Sequence, residues 1–176
     1  MDDDTLFFNA PVPLDSLPQA SAVPGLPLHR SYLRLRLISD SLFFLILLIG
    51  MLVTFSQLPL SPGTMAVFAS GWALLYAATL TNIVRGHRFK SYALRERDIL
   101  YRSGWIWRSE TVIPFNRVQH CEVSQGPIEK RLGLATLKVF TAGGQSADLA
   151  IPGIGHEAAN KLKDYLIKRT GADVAN

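Results

Sequence analysis

Between Asp40 and Arg85 the chain carries no aspartate, glutamate, lysine, arginine or histidine. Forty-four consecutive residues without a charged side chain offer no face that a helix could turn to water. Two helical stretches fit inside this run. Ser41 to Leu58 and Met65 to Val84, at 1.5 Å per residue, span about 27 and 30 Å, which matches a hydrocarbon core of about 30 Å. The six residues between them, PLSPGT, contain Pro59, Pro62 and Gly63, which stop one helix and start the next. Two spans joined by so short a loop form a transmembrane hairpin.

The flanks orient it. Arg30, Arg34 and Arg36 precede the first span, and Arg85, His87, Arg88 and Lys90 follow the second, while the connecting loop has no positive charge. The positive-inside rule then predicts both termini in the cytoplasm of a multi-pass membrane protein. Neither span holds an ionisable group of the kind that lines an ion or proton path. Ala69, Ala73, Ala77 and Thr81 recur every four residues along the second span. Such a stripe of small side chains lets another helix approach closely. The first span is the expected occupant, and a helix from another chain the alternative.

Residues 1–28 read differently. They contain Asp2, Asp3, Asp4 and Asp15, no basic side chain, and five prolines. No apolar period runs through them, so the expectation is a disordered arm, in which Leu6, Phe7 and Phe8 could serve as a short docking peptide. The arm lacks the basic start and early apolar run of a secretory signal. Without it the remaining chain carries a net charge of +8.

With 18% charged residues overall, against about 25% in a soluble domain, the composition fits a membrane protein. Setting aside the arm and the hairpin leaves roughly 87 residues, enough for one small domain and too few for a large enzyme. Its texture is short apolar runs cut by turns: FKSYAL, ILYRS, WIWRSETVI, RVQHCEVS, ATLKVFT and SADLAI. The turn between the first two is Arg95-Glu96-Arg97-Asp98, and Ala142-Gly143-Gly144-Gln145 is a hairpin signal. Six or seven strands at this spacing predict a small antiparallel barrel or sandwich. His156 to Arg169 sets Ala158, Ala159, Leu162, Tyr165 and Leu166 on one face, the pattern of an amphipathic helix that caps the sheet and ends at Gly171. The organisation expected is an arm over 1–28, a hairpin over 29–88, a folded domain over 89–170 that stands alone without the hairpin, and a tail over 171–176.

Candidate chemistry is sparse. One cysteine, Cys121, excludes a disulfide framework and a cysteine-built zinc site. His120 and Cys121 are adjacent, so on a strand they point to opposite faces, and Cys121 reads as a small core residue. His29, His87 and His156 are scattered singly, without metal-ligand spacing. No catalytic, cofactor or metal site is predicted. Asp98 and Asp148 read as solvated, Gly153-Ile154-Gly155 as a plain helix start, and Trp105 and Trp107 as inward-facing strand residues with Ile106 opposite. The basic charges of the domain are interleaved with acids, which argues against nucleic acid.

The run Ile113 to Gly144, IPFNRVQHCEVSQGPIEKRLGLATLKVFTAGG, resembles the signature of bacterial pleckstrin-homology (PH) membrane proteins of the YdbS-like type. The resemblance extends to the layout of two membrane helices followed by one such domain, over about Leu28 to Arg169. It implies an α+β membrane protein: a two-helix hairpin, then a PH-like β-barrel or sandwich capped by a C-terminal helix. It implies no chemistry. Some members lie beside a larger membrane protein bearing several such domains, which suggests an assembly partner. In eukaryotic PH domains basic residues of the first hairpin hold inositol phosphates; here Arg95 and Arg97 alternate with Glu96 and Asp98. Arg34, Arg36, Arg85, Arg88 and Lys90 are instead the candidates for contact with an anionic leaflet, each contributing about 1 kcal/mol close to the surface. The function expected is a non-catalytic, membrane-anchored PH-like module that assembles or regulates a membrane protein complex. Its partners would be the lipid bilayer, a larger multi-PH-domain membrane protein and further copies of itself. Direct recognition of anionic lipid, or service as an accessory subunit of a transporter or membrane enzyme, are the alternatives.

Overall fold

The computed structural model describes residues 23–143 and 146–173. Two long helices, α1 (Arg30–Gln57) and α2 (Pro62–Arg88), each have an apolar window long enough to cross a membrane. His29 caps α1 by accepting from the Ser31 amide at 3.2 Å. Ser61 does the same for α2 through Thr64 at 3.2 Å, with Pro62 at the first helical position. These caps supply acceptors for amides that lack helical partners. In the apolar spans threonine hydroxyls bond back to their own helix, Thr54 to the Gly50 carbonyl and Thr81 to the Ala77 carbonyl, which keeps them paired in lipid.

An aromatic seam joins the helices. The Phe44 ring lies 5.0 Å from Tyr76 and 6.0 Å from Trp72, Phe55 lies 6.2 Å from Phe68, and the Ser41 and Tyr76 hydroxyls are 2.9 Å apart. Phe68, Trp72 and Tyr76 share a face of α2 because they are four residues apart. The stripe Ala69, Ala73, Ala77 and Thr81 stands one residue further on, rotated by about 100°, and is exposed. The expectation that it packs on the first span is corrected: rings of larger area and a hydroxyl pair take that place.

Seven strands follow the order β1 (Leu26–Pro27), β2 (Ser91–Leu94), β3 (Asp98–Ser103), β4 (Ser109–Pro114), β5 (Val118–Ser124), β6 (Leu134–Thr141) and β7 (Leu149–Gly155). They form two antiparallel sheets, β1-β2-β3-β4 and β5-β6-β7. A short helix α3 (Pro127–Arg131) joins β5 to β6, and α4 (His156–Asp173) closes the domain. Alternation is clearest in β6, where Leu137 and Val139 are buried and Thr136 and Lys138 are not. From α4, Ala159 and Leu166 are buried, with Leu162 and Tyr165 packed on the same core. Ala158 is exposed, and the helix runs through Gly171 to Asp173, beyond the stop expected at Gly171.

Three further differences matter for function. Residues 1–22, and the disordered arm expected there, lie outside the described residues, but 23–28 depart from that expectation. Leu26 and Pro27 pair with Tyr92 and Ser91, and Leu28 is buried in the domain core. A proline is tolerated there because β1 is an edge strand. Next, the core continues into the first turn of α1 through Tyr32, with Leu35 packed against it. The boundary drawn at residue 89 therefore cuts through one hydrophobic unit. Finally, WIWRSETVI is not one strand. Ser103 pairs with Ser109, so residues 104–108 form the loop of a hairpin. Gly104 takes φ +89°, and a Cβ there would meet the Trp107 carbonyl, so the turn admits glycine alone.

Candidate functional site at the junction of hairpin and domain

The helical pair meets the domain along two seams. On one, the His29 amide donates to the Gly153 carbonyl at 3.0 Å, and Gly153, at φ +68°, lies flat against the Tyr32 ring. Gly153-Ile154-Gly155 belongs to β7, so Gly153 serves close approach of α1 and the run is not a helix start. On the other seam, the loop after β3 leans on the end of α2. Trp105 donates from Nε1 to Asn82 Oδ1 at 2.6 Å, and the Arg85 guanidinium lies 5.4 Å from the Trp105 ring centre. The tryptophans were expected in the core. Trp105 is instead half-buried against the membrane helix, while Ile106 and Trp107 are 63% and 88% exposed.

Between these seams lies a cavity of about 200 Å³ lined by Tyr32, Arg36, Asn82, His87, Lys90 and Trp105, among others. Lys90 Nζ sits 5.2 Å from the Tyr32 ring centre, a cation–π distance. Burial, and then the Arg36 guanidinium, hold the Lys90 ammonium below the ordinary lysine range. Arg36 contacts Asp40 at 3.3 Å; among the described residues Lys90 has no carboxylate partner. His87 Nδ1 is buried with no hydrogen-bond partner among them. Trp105 and Asn82 also border a second, shallower groove that runs along α2 past Leu74, Ala77, Ala78 and Thr81, with Ile106 on its far side. Chemically, the cavity presents the positive charge of Arg36 and Lys90, the latter without a carboxylate partner among the described residues, and the groove presents largely apolar surface.

Of the five basic residues proposed from sequence, the fold brings Arg36 and Lys90 into the cavity and sets Arg85 on its tryptophan wall. Arg34 and Arg88 are exposed and do not line it. Sequence reasoning missed His87, Tyr32 and Trp105. The signal available for Trp105 was the pair Gly104 and Trp105 directly after a strand, a turn signature that was subordinated to the apolar run. Elsewhere, Asp98 is paired and not merely solvated: Arg95 donates to it from Nε and Nη2 at 2.5 and 2.8 Å, which neutralises that base of the first hairpin. Asp148, likewise expected to be solvated alone, accepts from the Thr141 amide and hydroxyl, both at 2.8 Å, and these bonds hold its carboxyl below the usual range.

Cys121 packs beside the core while His120 stacks on Phe140 with ring centres 4.2 Å apart. Burial pushes the Cys121 thiol up to about 11, with Lys163 pulling slightly the other way. At pH 8 it is a protonated thiol, and the thiolate is the reactive form. Native protein is therefore expected to resist iodoacetamide at pH 8 and to be fully alkylated in denaturant, as intact mass would report. Native alkylation at the rate of a free cysteine would show the thiol is not held in this way. Among the described residues no group of three metal-ligating side chains occurs.

A membrane-spanning helical pair, two antiparallel sheets and a closing helix define a membrane-anchored PH-like protein. Residues 34–170 match the bacterial PH domain family, and the chain belongs to it. It is also 35% identical over 80 residues to the UPF0699 transmembrane protein YdbS of Bacillus subtilis (strain 168). That alignment covers 46% of this chain and 48% of the relative, so the match spans about half the length of each. No solved structure matches.

Proposed function

We propose that this protein is a non-catalytic module that assembles or regulates a membrane protein complex, anchored in the inner membrane of a bacterium with both termini in the cytoplasm. The observation that supports it best is the open edge of the first sheet. Strand β4 pairs with β3 on one side, its outer side carries no strand among the described residues, and Val112 on it is exposed. Such an edge accepts a strand from another chain. The shared core holds it at a fixed place above the membrane, which raises its effective concentration for a membrane-resident partner. A larger membrane protein bearing several PH-like domains fits that role, as does a second copy of this chain.

Co-purification from native membranes tests the reading. Deleting residues 91–171 should leave the hairpin inserted and abolish recovery of the partner. Replacing residues 41–84 with an unrelated two-span hairpin should retain at least part of it. If the partner followed the native hairpin and ignored the domain, the module reading would be wrong. Reporter fusions after Asp40 and Gly171 should both give cytoplasmic signals, and one at Ser61 the opposite signal.

A further inference from the structure

We propose that the junction cavity and the groove beside it form one binding site for an anionic phospholipid, with the headgroup phosphate at Lys90 and Arg36 and an acyl chain along α2. This goes beyond the assembly role and does not depend on it.

Position comes first. Arg36 lies just before the uncharged run of α1, and Lys90 lies just after the end of α2. In a membrane, both stand at headgroup level, where cationic side chains meet lipid phosphates. Charge comes second. Asp40 contacts Arg36, but among the described residues no carboxylate pairs with Lys90 and His87 Nδ1 has no hydrogen-bond partner. A phosphate would supply acceptors for Lys90 and Arg36 and form charge-assisted hydrogen bonds with them. About 200 Å³ is several times the ~30 Å³ share of one water molecule, so a phosphate fits.

Continuity with the groove selects a lipid over a free anion. Trp105 and Asn82 border both spaces, so the polar site adjoins apolar helix surface. The small side chains of Ala77 and Ala78 make that surface concave, and Leu74 continues it toward the middle of the span. Ile106 flanks it from the domain, an exposed apolar residue suited to the headgroup–acyl boundary. A ligand with a charged head and an apolar tail matches both halves. Inorganic phosphate matches one.

The test uses full-length protein in detergent, titrated with phosphatidylglycerol, phosphatidylcholine or inorganic phosphate, with bound ligand counted by native mass spectrometry. One saturable phosphatidylglycerol is expected, held about tenfold tighter than phosphatidylcholine. Lys90→Gln and Arg36→Gln should each weaken it about tenfold, Lys90→Arg should largely preserve it, and Arg131→Gln, at an exposed position on α3, should leave it unchanged. Ala77→Trp, which fills the groove, should weaken the lipid as well. Equal binding of the two lipids, or indifference to both charge-removing substitutions, would overturn the proposal. Binding of inorganic phosphate that depends on Lys90, with Ala77→Trp silent and no lipid preference, would overturn the lipid assignment in favour of a soluble anion. Should Lys90→Gln lower the thermal midpoint, Arg36→Gln, at a half-exposed side chain, gives the same reading without disturbing the fold.

Discussion

Gly153→Ala is expected to destabilise the protein by about 3 kcal/mol or more. Two costs combine. At φ +68° any side chain strains the backbone by about 1–2 kcal/mol, and a Cβ would fall 2.3 Å from the Tyr32 ring. Overpacking of that kind adds about 1–3 kcal/mol. Two other glycines separate these terms. Gly133, at φ +66°, has nothing within 4 Å of a built Cβ, and Gly155 has neither a positive φ nor a neighbour. Denaturant unfolding of the three alanine variants should therefore rank Gly155 as near neutral, Gly133 at about 1 kcal/mol, and Gly153 well beyond both. A Gly153→Ala variant as stable as the Gly133 one would mean that α1 does not dock on β7 as described.

Excising residues 89–171 is expected to yield a chain that does not unfold cooperatively. The fragment lacks Leu28 and Tyr32, which are 3% and 7% exposed in the whole protein, and it lacks β1 on the edge of β2. Losing two buried side chains of this size costs about 2–5 kcal/mol each, comparable to the whole 5–15 kcal/mol stability of a small domain. A companion chain should recover a sharp transition. It keeps residues 23–37 and 87–173 and replaces the membrane spans with a flexible linker of about ten residues, which reaches ~17 Å. Circular dichroism during denaturant titration distinguishes the two. Equal, sharp transitions would show that the domain owes nothing to the first helix, as the sequence alone had suggested.

That difference marks how far the sequence was legible. The spans could be read because lipid imposes a single requirement, apolarity over a fixed length, and 41–84 holds two such stretches without a charged side chain. Strands β5 and β6 could be read because core-facing and more exposed residues alternate along them, and β3 because its apolar run follows a charged turn. The junction could not. Leu28 and Tyr32 are single apolar residues beside prolines and arginines, with no period to reveal a buried face, and Gly153, on which Tyr32 packs, lies more than a hundred residues away. The loop 104–108 misled for the opposite reason: Trp105, Ile106 and Trp107 have strand-forming chemistry, but Gly104 turns the chain before they can pair. The basic residues were picked out by their place beside the spans. Which of them converge depended on the crossing of α1, α2 and β3, a three-dimensional fact with no local signature.

The bond from the His29 amide to the Gly153 carbonyl has a consequence for biogenesis. It joins positions 124 residues apart, and at about 5–20 residues per second the ribosome needs roughly 6–25 s to make the second after the first. The hairpin is thus complete and ready for insertion while Leu28 and Tyr32 still await the strand that will cover them. Closure of the domain is the last event and a high-contact-order one, which is slow in itself. During that interval the newborn protein presents unsatisfied apolar surface at the membrane, where a chaperone, a lipid or a sister chain can reach it before its own C-terminal half does.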